Sequence, residues 1–160
     1  MQLLSKKIAL LVLIASAAVG AAIAQSTSPA CNNALIYGDY GFTIEGNKLA
    51  GPGPTGPQVG VALTHFDGHG NLQQIDSVTI SGVQVADFSE TPTKGTYTVY
   101  ANCTGTFTLN FTGGRPTVTT WFVIVDNGNE IDTMVQGVPK GSPGVIATGS
   151  IGKRRFTPFW

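Results

Sequence analysis

From Tyr37 onward, apolar and polar residues alternate with a period of two, and the alternating stretches are broken at short intervals by Gly, Pro, Asn and Asp. Successive side chains of an extended strand point to opposite faces, so this pattern belongs to strands with one buried and one wet face. No helical period follows the N-terminus, and the chain reads as all-β. The spacing predicts strands over Tyr37 to Glu45, Gln58 to Phe66, Leu72 to Ser81, Val83 to Ser89, Thr96 to Cys103, Gly105 to Thr112, Thr117 to Asp126, Glu130 to Gln136 and Val145 to Ile151. Phe107, Leu109 and Phe111 alternate with Thr106, Thr108 and Asn110. Tyr97, Val99, Ala101 and Cys103 alternate with Thr96, Thr98, Tyr100 and Asn102, which places an apolar face inward and a Thr-rich face outward.

The breaks are chemically suited to hairpins. Asp67-Gly68-His69-Gly70-Asn71, Thr112-Gly113-Gly114-Arg115-Pro116 and Asp126-Asn127-Gly128-Asn129 are built from residues that tolerate positive φ. The longer stretch Gly51-Pro52-Gly53-Pro54-Thr55-Gly56-Pro57 has too many prolines for a ladder and is expected to arch over one end of the sheet, as a lid or a spacer. Consecutive strands joined by short turns, in a domain that must hide its sheet edges, predict a single antiparallel up-and-down β-barrel of about eight strands. A sandwich is the alternative.

The first residues have a different grammar. Lys6 and Lys7 precede an apolar run from Ile8 to about Val19 and small residues ending in Ala22-Ile23-Ala24, the order of a cleavable export signal spanning 1–24. The run is too short and too Ala-rich for a spanning helix, and Cys31 lies well beyond it, so neither stable membrane insertion nor lipid anchoring is expected. Of 160 residues, loss of the first 24 leaves 136, enough for one domain with its own core. The expected organisation is a signal at 1–24, a tethered N-terminal segment at 25–36 and a barrel at 37–160. Without Lys6 and Lys7, 7 basic residues face 9 acidic ones, a balance that offers nucleic acid no basic surface. The predicted location is secreted or periplasmic. There, the two cysteines, Cys31 and Cys103, are expected to pair, closing a loop of about 70 residues and holding the N-terminal segment against the barrel.

The succession Cys31, Tyr40-Gly41-Phe42-Thr43-Ile44-Glu45-Gly46, Phe66-Asp67-Gly68-His69-Gly70, Gly95-Thr96-Tyr97-Thr98-Val99 and Cys103-Thr104-Gly105-Thr106 resembles a group of exported bacterial and fungal proteins of unknown role. That group is placed with barrels similar to allene oxide cyclase, within the wider calycin-like set. The resemblance spans most of the chain after the signal, in motifs that mark turns and strand starts. It implies the barrel, and relatives that include both cyclases of apolar substrates and simple binders.

Residues that carry chemistry are sparse. His65, Asp67 and His69 alternate as strand-borne metal ligands can, but Asp67-Gly68 begins a predicted hairpin, where the strand geometry ends. No metal or other cofactor is therefore expected. Glu45, Asp76, Glu90, Glu130 and Asp132 are the available acids and bases, and all are expected to be solvated. The sequons at Asn102 and Asn110 fall in predicted strands and are read as accidental. The aromatic C-terminus at Trp160 is interrupted by Pro158 and the basic triplet Lys153-Arg154-Arg155, unlike a membrane barrel. No nucleophile elbow, phosphate loop or HExxH occurs. The leading expectation is a binding module for a small apolar ligand, with His65, Tyr97, Phe107 and Trp121 as pocket residues. The alternatives are a cyclase or isomerase in the same barrel, and a structural or partner-binding protein with a filled interior. The sequence does not specify the oligomeric state.

Overall fold

The structure, a computed structural model, describes residues 30–111, 117–136 and 145–155, and the period of two is its organising rule. Its strands are β1 (Gly38–Lys48), β2 (Gly56–Phe66), β3 (Asn71–Ile80), β4 (Val83–Ala86), β5 (Thr93–Val99), β6 (Thr104–Asn110), β7 (Val118–Val125), β8 (Glu130–Val135) and β9 (Ile146–Arg154). In β1, Tyr40, Phe42 and Ile44 turn inward while Gly41, Thr43 and Glu45 face out. In β6, Phe107 and Leu109 are buried, and the threonines between them are not. Residues 1–24, the expected export signal, lie outside the described residues, as do 112–116, 137–144 and 156–160.

Every pairing is antiparallel. The chain runs up and down through β1, β2 and β3, continues from β5 to β9, and closes when β9 pairs with β1 from Tyr40↔Arg154 to Lys48↔Ile146. Eight strands make a closed barrel, and β4 is an addition to β3. The edge of β3 is divided: Asn71 to Gln74 pair with β5, Val78 to Ile80 pair with β4, and residues 75–77 fall between the two registers. The wall is thus completed by β5 at one end and splayed by the short β4 at the other. β4 stops early because the Asp87 carboxylate takes up the Ser89 backbone N–H at 2.8 Å, a local turn that competes with the ladder.

Bulky inward side chains are accommodated by glycine directly across the ladder. Phe42 lies opposite Gly152, Phe122 opposite Gly105 and Leu72 opposite Gly95. A Cβ at Gly152 or Gly105 would overlap the facing phenyl ring. This large-against-small pairing lets aromatic rings lie flat inside a barrel of this size.

The rings gather at one end. Phe66 meets Tyr97 and Tyr40 edge-on at 5.0 and 5.5 Å, and Phe107 stacks on Phe122 at 6.1 Å, with Leu72, Val99, Ile124 and Ile131 filling the gaps. The short 3-10 helix Asn33–Ile36 plugs this end and buries Ile36 completely. Its hold is polar as well as apolar. Asn33 Oδ1 accepts the Val99 N–H at 2.7 Å, and the Tyr97 hydroxyl donates to Asn33 O at 3.1 Å. Arg154 donates to Gly128 O at 3.0 Å, to Leu35 O at 2.6 Å and to Tyr37 O, while its guanidinium sits 5.0 Å over the Tyr40 ring.

Cys31 and Cys103 form a disulfide, with Cα atoms 5.0 Å apart, inside the range such bonds require. Cys103 is not on a strand, contrary to expectation. β5 ends at Val99, and Tyr100 to Cys103 form a tight turn in which Asn102 Oδ1 accepts the Thr104 N–H at 3.2 Å and its hydroxyl at 2.8 Å. The sequon asparagine Asn102 therefore lies in a turn rather than a strand. Both sulfurs still pack against the core. The segment they anchor has the further ties of Asn33, Ile36 and Arg154, so the bridge is one tether among several.

Burial pushes the Tyr40 hydroxyl up to about 12, although Arg154 pulls the other way. Its phenol must stay protonated to donate to Gly128 O. A folded value above the unfolded value of about 10 stabilises the fold fully below pH 10 and ceases to do so as pH rises through 12. Urea unfolding at pH 9 and pH 11 should show the native protein losing about 1.4 kcal/mol more than Tyr40→Phe over that interval. Equal losses would contradict this account.

Candidate functional site

The barrel is filled at the plugged end and hollow at the other. Above the floor made by Phe42, Ala62 and Phe107, the inward residues become shorter or diverge, and a cavity of about 470 Å³ opens toward the mouth. Its walls are Ile44, Val78, Ile80, Leu109, Val118, Val135 and Ile146. A volume of this size lies within the range of roughly 300 to 1,000 Å³ typical of small-molecule sites.

The Gly- and Pro-rich loop after β1 arches over the mouth, with Gly51, Pro52, Gly53 and Pro54 against the cavity. Both Leu49 and Ala50 donate their N–H groups to Val145 O, at 2.8 and 3.3 Å, and Lys48 Nζ donates to Pro52 O. Contrary to expectation, the last two residues of this run belong to β2, where Pro57 stands near the strand's start and its carbonyl accepts the Ser81 N–H at 2.8 Å.

One polar chain enters this apolar space. In β3, Leu72, Val78 and Ile80 set the inward phase, and Gln74 and Asp76 occupy the two inward positions between them. Gln74 is 7 % and Asp76 8 % exposed, and both line the cavity. The Thr64 hydroxyl donates to Gln74 Oε1 at 3.0 Å, which turns the amide nitrogen toward Asp76 Oδ2 at 3.4 Å. On another wall, the Thr148 hydroxyl is buried without a hydrogen-bond partner among the described residues. Thr120 and Ser150 add hydroxyls to the lining.

Comparison with protein families, curated proteins and solved structures finds no match. The site must be read from its own chemistry.

Of the four expected pocket residues, Phe107 lines the cavity. Tyr97 faces inward but lies in the plugged core, where burial raises its hydroxyl above the usual phenol range. His65 and Trp121 are on the outer face, in the opposite phase to Thr64 and Thr120. His65 Nδ1 is 2.7 Å from Asp39 Oδ1, and its ring meets Tyr37 edge-on at 6.0 Å. Trp121 is 42 % exposed.

Asp67 acts as a turn residue. It accepts the N–H groups of His69 at 2.7 Å and Asn71 at 2.9 Å, and the Asn71 side chain at 2.7 Å. Desolvation raises its carboxyl, but the hydrogen bonds from Asn71, His69 and Gly70 together outweigh it and hold the group down to about 2.

Among the five acids considered from sequence, Glu45 and Asp132 lie on the outer face, Glu130 pairs with Lys153 at 3.3 Å, and Glu90 lies in the loop after β4. Two of the five depart from the expected solvation: Asp132 has its Oδ1 buried on the outer face, and Asp76 is buried and faces the cavity. The readable signal was its phase, since Leu72, Val78 and Ile80 fix which side of β3 points in.

Proposed function

We infer that the protein is an exported barrel that binds a small, predominantly apolar ligand in the open half of its interior. The observation that carries this reading is the cavity itself, apolar in its walls, lidded by the loop after β1 and floored by an aromatic layer. Association with allene oxide cyclase-like and calycin-like barrels belongs to the same proposal, supported by the closed eight-stranded architecture and the turn motifs. Export is supported by the signal-like N-terminus and by the disulfide, a bond that persists in oxidising compartments. The neutral dye N-phenyl-1-naphthylamine should brighten and saturate on binding. Val118→Trp, which fills the rim of the cavity, should weaken that binding by about tenfold without unfolding the barrel. An absence of dye binding to the native protein, or equal binding by the variant, would count against the cavity as the site.

The second reading, a cyclase or isomerase of an apolar substrate, draws on Asp76, a carboxyl group placed where a substrate would sit. Such an enzyme would use it as a general acid or base. Turnover of a bound substrate, lost in Asp76→Asn with binding retained, would distinguish catalysis from carriage.

A further inference from the structure

We propose that two copies of the chain pair face to face through the outer wall formed by β7, β8, β9, β1 and β2, about a two-fold axis that runs along the seam between β8 and β9. The inference goes beyond the cavity-binding reading and does not depend on it.

The outside of the barrel has two unlike halves. On β5 and β6 the outward positions read Lys94, Thr96 and Thr98, then Thr104, Thr106 and Thr108, the wet face of a half-buried sheet. On the other half Trp121, Val123, Met134 and Ile151 stand 40 to 60 % exposed. The ladders make them one patch, since Trp121 lies directly across from Met134, and Asp132 lies between Val123 and Ile151. Val59 and Val61 continue the exposed apolar side chains on β2, beyond β1. Soluble monomers rarely leave more than about a few hundred Å² of contiguous apolar surface uncovered.

The order of residues across the seam says what covers the patch. In a two-fold contact each outward residue meets its mirror position across the axis. β8 and β9 pair Glu130 with Lys153, Asp132 with Ile151 and Met134 with Gly149. An axis on their seam therefore lays each of these residues over its ladder partner in the other copy. Met134 enters the gap above the other copy's Gly149, where no side chain stands and where Gly41, Thr43 and Ile151 complete a groove. Lys153 meets the other copy's Glu130, adding an ion pair between copies to the 3.3 Å pair within each. Asp132, whose Oδ1 is buried without a hydrogen-bond partner among the described residues, stands about 7 Å along β8 from Glu130, within reach of the same lysine. Large faces empty and acid faces base, so the surface is its own complement. Five strands at roughly 4.8 Å and four outward rows at roughly 7 Å give a face about 24 Å by 27 Å before side-chain relief is counted. An interface of standard size draws roughly 800 Å² from each partner, so the face suits a reversible dimer rather than an obligate one. Because the axis follows the strands, both mouths open in the same direction and stay clear of the contact.

Sedimentation equilibrium of the full exported protein over about 1 to 100 µM tests the pairing, and the native chain should show a monomer–dimer equilibrium with Kd in the micromolar range. Met134→Lys and Ile151→Glu should each raise Kd by about tenfold or more, with the circular dichroism melt and N-phenyl-1-naphthylamine binding unchanged, since neither side chain lines the cavity. Lys153→Glu and Glu130→Lys, each alone, set like charges across the axis and should be monomeric. An equimolar mixture of these two variants places opposite charges at every such contact and should recover the dimer. The melt identifies any variant that fails to fold, and the native chain decides the matter regardless. A native protein that stays monomeric at about 100 µM, or a dimer that survives both Met134→Lys and Ile151→Glu, overturns the pairing. A charge-swapped mixture that stays monomeric overturns the placement of the axis.

Discussion

Replacing Cys31 and Cys103 together with Ser should lower the stability of the protein by about 4 kcal/mol, the chain-entropy cost of freeing a 72-residue separation in the unfolded state. For a domain of this size that corresponds to a fall in melting temperature of roughly 15 °C. The effect should appear almost entirely in the unfolded ensemble, because the plug retains its other ties in the folded one. Ile36 remains buried, and Asn33 remains bonded to Val99 and Tyr97. Limited proteolysis of the folded double variant should therefore cut near Cys31 and spare the 3-10 helix. Thermal melts followed by circular dichroism check the first statement, and mass mapping of early cleavage products checks the second. Two free thiols in protein recovered from an oxidising compartment would refute the bridge outright.

The second large effect is expected at Arg154. Its guanidinium joins the last strand to three carbonyl oxygens, those of Gly128, Leu35 and Tyr37, the first of them shared with the Tyr40 hydroxyl, and it covers the Tyr40 ring. Truncation to Ala takes this donor from all three, leaving Gly128 O with the Tyr40 hydroxyl alone, and removes a cation from an aromatic face. A loss of about 3 kcal/mol or more is expected, since each hydrogen bond from a charged group is worth roughly 1.5 to 3 kcal/mol and an unsatisfied buried partner adds its own penalty. Arg154→Lys should recover less than half of it, because an ammonium group cannot span the three acceptors that the planar fork reaches at once. Urea titrations of both variants measure the effect. A Lys variant as stable as the native protein would show that charge alone, and not the fork, holds the plug.

Much of this fold could be read from alternation and turn residues. Each expected strand exists, and most ends agree within two residues, because the inward phase of a half-buried strand is written directly in the sequence. The larger misses have local causes. The strand expected to run through Cys103 ends at Val99, since Asn102 binds Thr104 and turns the chain instead of extending it. The strand expected to reach Ser89 ends at Ala86 for the same kind of reason at Asp87. The site was less legible. His65 and Trp121 are residue types that suit a pocket, but their phase sends them outward, and residue type carries no information about phase. Asp76 and Gln74 were readable in principle, because the apolar residues two positions away on either side of the pair, Leu72 and Val78, commit them to the interior. The split partnership of β3 was not, because it depends on where β4 and β5 arrive, and that is decided by the whole barrel.

The two ends of this barrel have separate duties. The aromatic layer, the 3-10 helix, the disulfide and Arg154 all lie at one end, while β1, β3, β6 and β8 end, and β2, β7 and β9 begin, at the other. Few groups serve both. A chain arranged in this way can lengthen, shorten or rewrite the loops at its mouth without touching the contacts on which folding depends. Selection on the lining of the open end and selection on stability then act on different residues, and the same scaffold can vary its mouth while keeping its durability.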